Sequence, residues 1–530
     1  GGGGPPPPPP PRESVPKLLK MRACTTPPPL SYTSTLPEPH RAHTAKPSHS
    51  LVGIPIGRGL WTATAQLSCL RHRPLATVTF AAGGRDGQPA VGIDLGTTSS
   101  VVAAILDGVP TVLEDEQGRT SLPSVVAYPA NDGEPLIGWD ALATLGDGDE
   151  SMFYSVKRLI GRQLEDVLPA VRELLTYPTA ATQDGLAALA SPNGLLLPEE
   201  VSAAILKPLL ARAEAAYGQA IEAAVIAVPA HFDSGQRKAT KRAGELAGLR
   251  HIELLQEPVA AAMAAGIGTD PYEAHTVLVF DLGGGTYDVS ILDSFEGIME
   301  VLETGGDALL GGDNWDEALA AWVAGCVPGT VEQPAGGGST WNLQLRNAVK
   351  SAKESLSEDE EAIIPMLEDD AGQAAVLTRV AFEELTAPLV QRLWAPLAES
   401  GAAAMLQWAD EPGWNTAQPP ASPAKLMGSA TKGDLVDTVD SKYAPPPRRI
   451  NRVVLVGAAT RMRAVRELVE CVTGIKPTYE VDPEHAVALG AAIHAGLLTG
   501  QLQSGLELMD GGYVADQHNA VSGFGDTWQP

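Results

Sequence analysis

Cysteine is scarce: the chain has four in 530 residues, and no two stand at a C-x-x-C spacing. Zinc sites and disulfide frameworks need clustered thiols, so neither is indicated, and a reducing compartment fits. Long apolar runs are missing too. The longest, 223–230 and 259–268, fall well short of the roughly 18 residues that a membrane span requires. That argues against an integral membrane protein. There is no G-x-x-x-x-G-K-[ST] segment, so a P-loop NTPase is disfavoured. His231, His251, His275, His485 and His494 show no ligand spacing, and no Ser-His-Asp order is readable. Positive charge is short as well, with 37 Lys and Arg against 64 Asp and Glu for a net charge of −27. Residues 1–85 hold ten basic residues and two acids, so the rest of the chain carries −35. A body that acidic repels nucleic acid and anionic membrane.

What is present is an ordinary globular composition, 44% hydrophobic and 19% charged. The length suits two lobes or more rather than one core. The given sequence opens on Gly1, and residues 1–11 are a Gly/Pro run that cannot bury a core. Met21 would serve as a start. From there to about Gly84 the segment is rich in Ser, Thr, Pro, Ala and Arg and nearly free of acid. That is the composition of an organelle transit peptide, without the apolar core of a secretory signal; an untargeted disordered tail would read similarly. Residues 1–88 are thus expected to be a disordered leader. The Ser, Thr and Pro content points to the chloroplast before the mitochondrion, and then the cytosol. A second low-complexity stretch, 409–447, reads as a surface insertion, and 501–530 as a flexible tail.

Residues 90–106, AVGIDLGTTSSVVAAIL, read as a strand ending in Asp94, a tight turn, and a second strand. Gly96 removes a side chain where a phosphate could approach the backbone. Thr97 and Thr98 offer hydroxyl and amide donors. Asp94 can hold a cation through water, since Mg²⁺ sheds its waters reluctantly. An ordinary glycine hairpin would read the same way from this segment alone. The pattern returns in Thr276–Asp293, where a buried strand ends in Asp281, Gly283-Gly284-Gly285-Thr286 follows, and an alternating strand comes next. Two such hairpins suggest two similar lobes facing one nucleotide. A third segment, RVVLVGAATR at 452–461, is a strand that breaks at Gly457 into a helix carrying Val465, Leu468 and Val472 on one face.

With these segments in view, the chain resembles the ATPase domain of the 70-kDa heat-shock (DnaK-type) chaperones, in the actin and sugar-kinase superfamily. The resemblance spans about Pro89 to Gly500. It rests on IDLGTT at 93–98, SVKRLIGR at 155–162, AVPAHFDSGQRKATKRAGELAGL at 227–249, QEPVAAAMAAG at 256–266, DLGGGTYD at 281–288, GGDALLGGDNWD at 305–316, LTRVAFEEL at 377–385 and DPEHAVALGAA at 482–492. It implies an α/β, actin-like fold of two lobes (about 89–275 and 276–480), each a mixed sheet flanked by helices around a central cleft, with a last helix near 484–498 packing back at the junction. It implies ATP or ADP with Mg²⁺ in the cleft. Lys157, Glu257, Asp281, Thr286 and Asp94 would be catalytic, with Asp94, Asp281 and Glu257 holding the metal through water and Asp288 assisting. Gly96, Thr97, Thr98, Gly283, Gly284, Gly285, Lys353, Ser357, Gly457, Arg461 and Glu484 would contact nucleotide. Pro229 and Arg237 match the family's switch proline and relay arginine. Read by residue type alone, Lys157 is also an ordinary solvated lysine and Pro229 a strand terminator.

Several positions depart from the family pattern. Ala458 and Ala459 stand where the adenosine turn usually carries Gly and Ser. Lys350 falls at a glutamate that bonds the ribose hydroxyls, and Asp313-Asn314 replaces Glu-Asp. These changes imply weakened nucleotide binding. Glu253 stands at an arginine that receives the J-domain co-chaperone, and Gln256 at an asparagine beside it, so opposite charge sets ordinary J-domain docking in doubt; a nucleotide-exchange factor is the other expected partner. After Gly500 the given sequence holds thirty residues, too few for the family's peptide-binding sandwich. The alternative to an ATPase is a scaffold subunit with little or no turnover.

Overall fold

The computed structural model describes residues 89–129, 133–144, 152–191, 194–269, 272–295, 298–326, 343–368, 374–408 and 448–502. The expected leader (1–88) and insertion (409–447), and the expected tail from 503 on, lie outside the described residues.

The first lobe is built on β1 (Ala90–Asp94), β2 (Ser99–Leu106), β3 (Val109–Val112), β4 (Ser121–Pro123), β5 (Ala223–Val228) and β6 (His251–Gln256). Their order across the sheet is β6-β5-β1-β2-β3, with β4 also paired to β2. β1 runs parallel to β5 and β5 to β6, while β1, β2 and β3 form an antiparallel meander. α1 (Pro198–Tyr217), α2 (Ser234–Leu246) and α3 (Glu257–Ala264) supply its helices. Asp233 caps α2 by accepting from the Gln236 amide, and the Gln236 side chain accepts from the Asp233 amide in return, which satisfies two donors orphaned at the helix start.

The second lobe repeats the arrangement. β7 (His275–Leu282), β8 (Tyr287–Phe295), β9 (Ile298–Asp307) and β10 (Arg452–Val456) lie in the order β9-β8-β7-β10. β7, β8 and β9 are an antiparallel meander and β10 pairs parallel with β7. Strand for strand, β7 corresponds to β1, β8 to β2, β9 to β3 and β10 to β5. This is the duplication that the two Asp–Gly–Thr hairpins predicted. α4 (Gly312–Cys326), α5 (Leu343–Ser355), α6 (Arg379–Ala403) and α7 (Arg463–Thr473) belong to this lobe. Val465, Leu468 and Val472 of α7 are buried, as the helical spacing predicted. β1, β2 and β5, at the centre of the first sheet, read as nearly continuous apolar runs because both of their faces are covered.

Each lobe has its own core, one around Ile93, Val102, Phe153 and Ile226, the other around Phe280, Tyr287, Trp315 and Leu468. A third cluster joins them. It holds Ala90 and Val225 from the first sheet, Val277 and Val454 from the second, and Ala260, Met263, Ala491 and Ala495 from helices. Its helices are α3 and α8 (Ala486–Leu498). α8 can lie on the first sheet because both sides are nearly bare. A methyl on Gly92 would run into the backbone of Ala488, Ala491 and Ala492, and one on Gly490 into the carbonyl of Ala260.

Such contacts cannot absorb a carbon atom. Gly92→Ala should therefore lower the unfolding free energy by about 3 kcal/mol. In urea denaturation the midpoint would fall while the slope stays unchanged.

Candidate functional site

Between the lobes lies a cleft of about 1140 Å³. Asp94 enters from the end of β1, with Gly96, Thr97 and Thr98 in the turn after it. Lys157 comes from a 3₁₀ turn, Val156–Arg158, and Glu257 from the first residue of α3. From the second lobe come Asp281, Gly283, Gly284 and Thr286, then Lys353 of α5, Ser357, Gly457, Arg461 and Glu484. Of the residues expected to act here, Gly285 alone does not line the cleft wall. The two glycine turns meet face to face: a methyl on Gly284 would sit 2.7 Å from Thr98 Oγ1.

The floor of the cleft is a cluster of buried and half-buried charge. Lys157 Nζ donates to Glu257 Oε1 at 2.6 Å, with both side chains mostly buried. Burial pulls the Lys157 pKa down, but Glu257 and Asp94 outweigh it and hold the ammonium above its ordinary value. Burial pushes Asp94 up to about 7, against the pull of Lys157 and with the help of Glu257. Burial also drives Asp281 well above the carboxylate range, reinforced by Glu257, Asp288 and Asp94. Asp288 is pushed up to about 6 by burial, partly offset by His231, whose Nδ1 lies 3.5 Å from Asp288 Oδ1. That contact crosses the cleft, since His231 follows β5 and Asp288 lies on β8.

Four carboxylates thus surround one ammonium. Such a surplus of buried negative charge is costly on its own, and a divalent cation is the group that would relieve it. The donors are hard oxygens, which suit Mg²⁺. Among the described residues no three His, Cys, Asp or Glu side chains stand close enough to ligate an ion together. Asp94, Asp281 and Glu257 are the carboxylates that could hold such an ion, through its waters.

The far end of the cleft is more self-contained. Lys353 Nζ pairs with Asp316 at 2.9 Å and donates to the Gly312 carbonyl at 3.0 Å. Asp313, beside it, is pushed up to about 6 by burial, with Lys353 opposing. Arg461 is held by Asp482 at 2.7 Å and stands 5.8 Å from the Tyr479 ring. Lys350 also lines the cleft, exposed and 4.0 Å from Glu354. Gly457, at φ +84°, could not carry a side chain, because a methyl would strike the Leu282 carbonyl. Ser357–Glu361, which reads as a solvated helix end, follows the last turn of α5 with its four acids exposed, and Ser357 and Glu358 also line the cleft. Sequence reasoning passed over Asp316 and Arg158. Asp316 is one turn beyond Asp313 on α4, and that spacing was the available signal.

A two-lobed α/β protein with a duplicated Asp–Gly–Thr hairpin on either side of one acidic cleft belongs to the actin-like nucleotide-cleft class. Sequence comparison narrows this. The family model described as Hsp70 protein matches residues 90–411 and 439–511. The chain is 38% identical over 424 residues to the chaperone protein dnaK of Thalassiosira pseudonana, covering 78% of this chain and 63% of that one. It is 38% identical over 423 residues to an HscA homolog of Methylibium petroleiphilum, covering 79% and 60%, and 39% identical over 415 residues to HscA of Pectobacterium carotovorum, covering 78% and 58%. The chain belongs to the Hsp70 family, with the mixed α/β fold of its actin-like ATPase domain. It spans about three fifths of the length of these relatives.

The raised carboxyl groups make stability depend on pH. A carboxyl whose pKa is higher folded than unfolded stabilises the fold fully below its unfolded value near 4, and that contribution is lost as pH rises through the folded value. For Asp288 and Asp94 the loss runs up to about pH 6 and about pH 7. The melting temperature of the ligand-free protein should fall across this range. Asp94→Asn should be more stable than the parent at pH 8, by on the order of 2 kcal/mol, in scanning calorimetry.

Proposed function

We propose that the protein is an Hsp70-type chaperone ATPase that binds ATP with Mg²⁺ in the interlobe cleft and hydrolyses it to ADP and phosphate. The observation that carries this reading is the Lys157–Glu257 pair set among Asp94, Asp281 and Asp288. Phosphoryl transfer asks a protein for little covalent chemistry and much positioning and charge stabilisation. Lys157 Nζ is a permanently charged donor placed to neutralise oxygen charge as the bond from γ-phosphorus to the leaving oxygen breaks. Glu257 aims that ammonium. Thr286 and the carboxyls of Asp94 and Asp288 orient the attacking water, and one of these carboxylates, in its ionised form, takes up the water's proton as the new phosphorus–oxygen bond forms. Gly96, Thr97, Thr98 and Gly284 offer backbone donors where a side chain would block the phosphates, and Gly283, whose amide donates to the Thr286 carbonyl at 3.0 Å, closes the second turn. A bound divalent cation would supply the remaining neutralisation of phosphate charge.

Turnover is expected to be weak or partner-dependent. Lys353 and Arg461, the cations that the family resemblance assigns to the nucleoside, are already paired with Asp316 and Asp482. Lys350 places a cation where a ribose-bonding carboxylate is usual. These pairings favour a second reading, a scaffold subunit that keeps the fold and binds nucleotide poorly. The expected co-chaperone partners follow the first reading, and Glu253 on β6 keeps an ordinary J-domain from fitting well. The composition of the leader supports an organelle, the chloroplast first.

Calorimetric titration of ATP-Mg²⁺ beside a phosphate-release assay separates the readings. Lys157→Ala should keep nucleotide binding and lose turnover by on the order of 10²–10³-fold; no heat at millimolar ATP in the parent would sink the ATPase reading. Lys350→Glu should tighten nucleotide binding by on the order of tenfold, the worth of one charged hydrogen bond.

A further inference from the structure

The second glycine turn has its carbonyls fully occupied. Those of Gly283 and Gly284 accept the amides of Gly312 and Asp313, at the start of α4, at 2.9 and 2.7 Å. The carbonyl of Gly285 is taken from the other lobe: Arg158 Nη2 donates to it at 2.8 Å. The second arm of the same guanidinium, Nη1, donates to the carbonyl of Ala308, just beyond β9. One side chain of the first lobe therefore holds two turns of the second.

Gly285 fits this role sterically. It stands behind the cleft wall, and a methyl on it would lie 2.6 Å from Arg158 Nη2. The side chain that glycine omits here would displace the arginine. Arg158 follows Lys157 in a 3₁₀ turn, where successive side chains point about 120° apart. Lys157 thus reaches Glu257 of its own lobe, and Arg158 reaches across. Burial pulls the Arg158 pKa down, and Asp313, Tyr177, Asp288 and Asp307 oppose it. The three acids all belong to the second lobe. A planar fork can satisfy two separate carbonyls at once, which a compact ammonium cannot.

We infer that Arg158 is a positioning residue that latches the Gly283–Thr286 turn and the turn at Ala308 to the first lobe, so that opening the cleft to release nucleotide requires breaking both of its bonds. The kinetic half of this rests on the nucleotide reading above; the geometric half does not. Two measurements on the full chain test it. The first is amide hydrogen exchange of the ligand-free protein, followed by mass spectrometry. Arg158→Ala should speed exchange in 283–287 and 306–311 and leave the other segments at parent rates. The second is release of a fluorescent ADP analogue chased by excess ADP. Release should quicken by on the order of 10- to 100-fold, as expected for losing charged hydrogen bonds, while single-turnover hydrolysis changes far less. Arg158→Lys should restore neither readout fully. Gly285→Ala should reproduce both effects and add nothing to Arg158→Ala in the double variant. It also serves if Arg158→Ala does not fold. The latch is wrong if exchange in the two turns is unchanged, if it quickens uniformly along the chain, if lysine substitutes fully, or if the two variants add. Should the parent bind no nucleotide, the nucleotide reading fails, and the exchange pattern still decides the latch.

Discussion

The cleft is organised around one electrostatic problem, the crowding of Asp94, Glu257, Asp281 and Asp288, all buried or half-buried, around a single lysine. Hydrophobic side chains would make a more stable floor, since buried ion clusters seldom repay their desolvation. The carboxyls stay because each sits at the end of an element fixed by packing elsewhere: β1, α3, β7 and β8. The fold absorbs the repulsion by favouring protonation at Asp94, Asp281 and Asp288. Strongly perturbed carboxyls gathered in a cleft are a physical mark of a functional site, and here they lie opposite the two glycine turns.

The lobes themselves are joined by small residues. Gly92, Ala260, Gly490 and Ala491 bring β1, α3 and α8 to backbone contact. Helices and strands in such contact cannot slide apart by small steps, but they can pivot. This seam and the Arg158 bonds lie at different points of the lobe boundary. One carries the permanent connection and the other a breakable one.

Much of this was legible in the sequence. A strand ending in Asp, followed by glycine and threonine, is a local pattern, and it located both turns and the duplication. The helix face at Val465, Leu468 and Val472 was legible for the same reason. Lys157 and Glu257, a hundred positions apart, were assigned through the family resemblance, because nothing local pairs them. Arg158 was passed over because its partners are backbone carbonyls, which leave no trace in residue identity. Lys353 matched a base-contacting position, but its pairing with Asp316 is a tertiary event that spacing along one helix does not reveal. The acidic run after α5 is exposed, as its composition suggested, and the turn that follows the helix also brings Ser357 and Glu358 to the cleft wall.

One feature of the second lobe bears on how such a chain can be enlarged. Two stretches some forty positions apart are fastened together: Gln407 donates its amide to the Arg448 carbonyl at 2.8 Å, and the Arg448 amide donates to the Met405 carbonyl at 3.0 Å. The Arg448 side chain also reaches Asp293 on β8 at 3.0 Å. With the two stretches bonded to each other, closure costs rise only slowly with the length of chain between them. Changing the length of chain between them therefore adds little to the cost of closure, while the bonded pair keeps the approach to β10 in place.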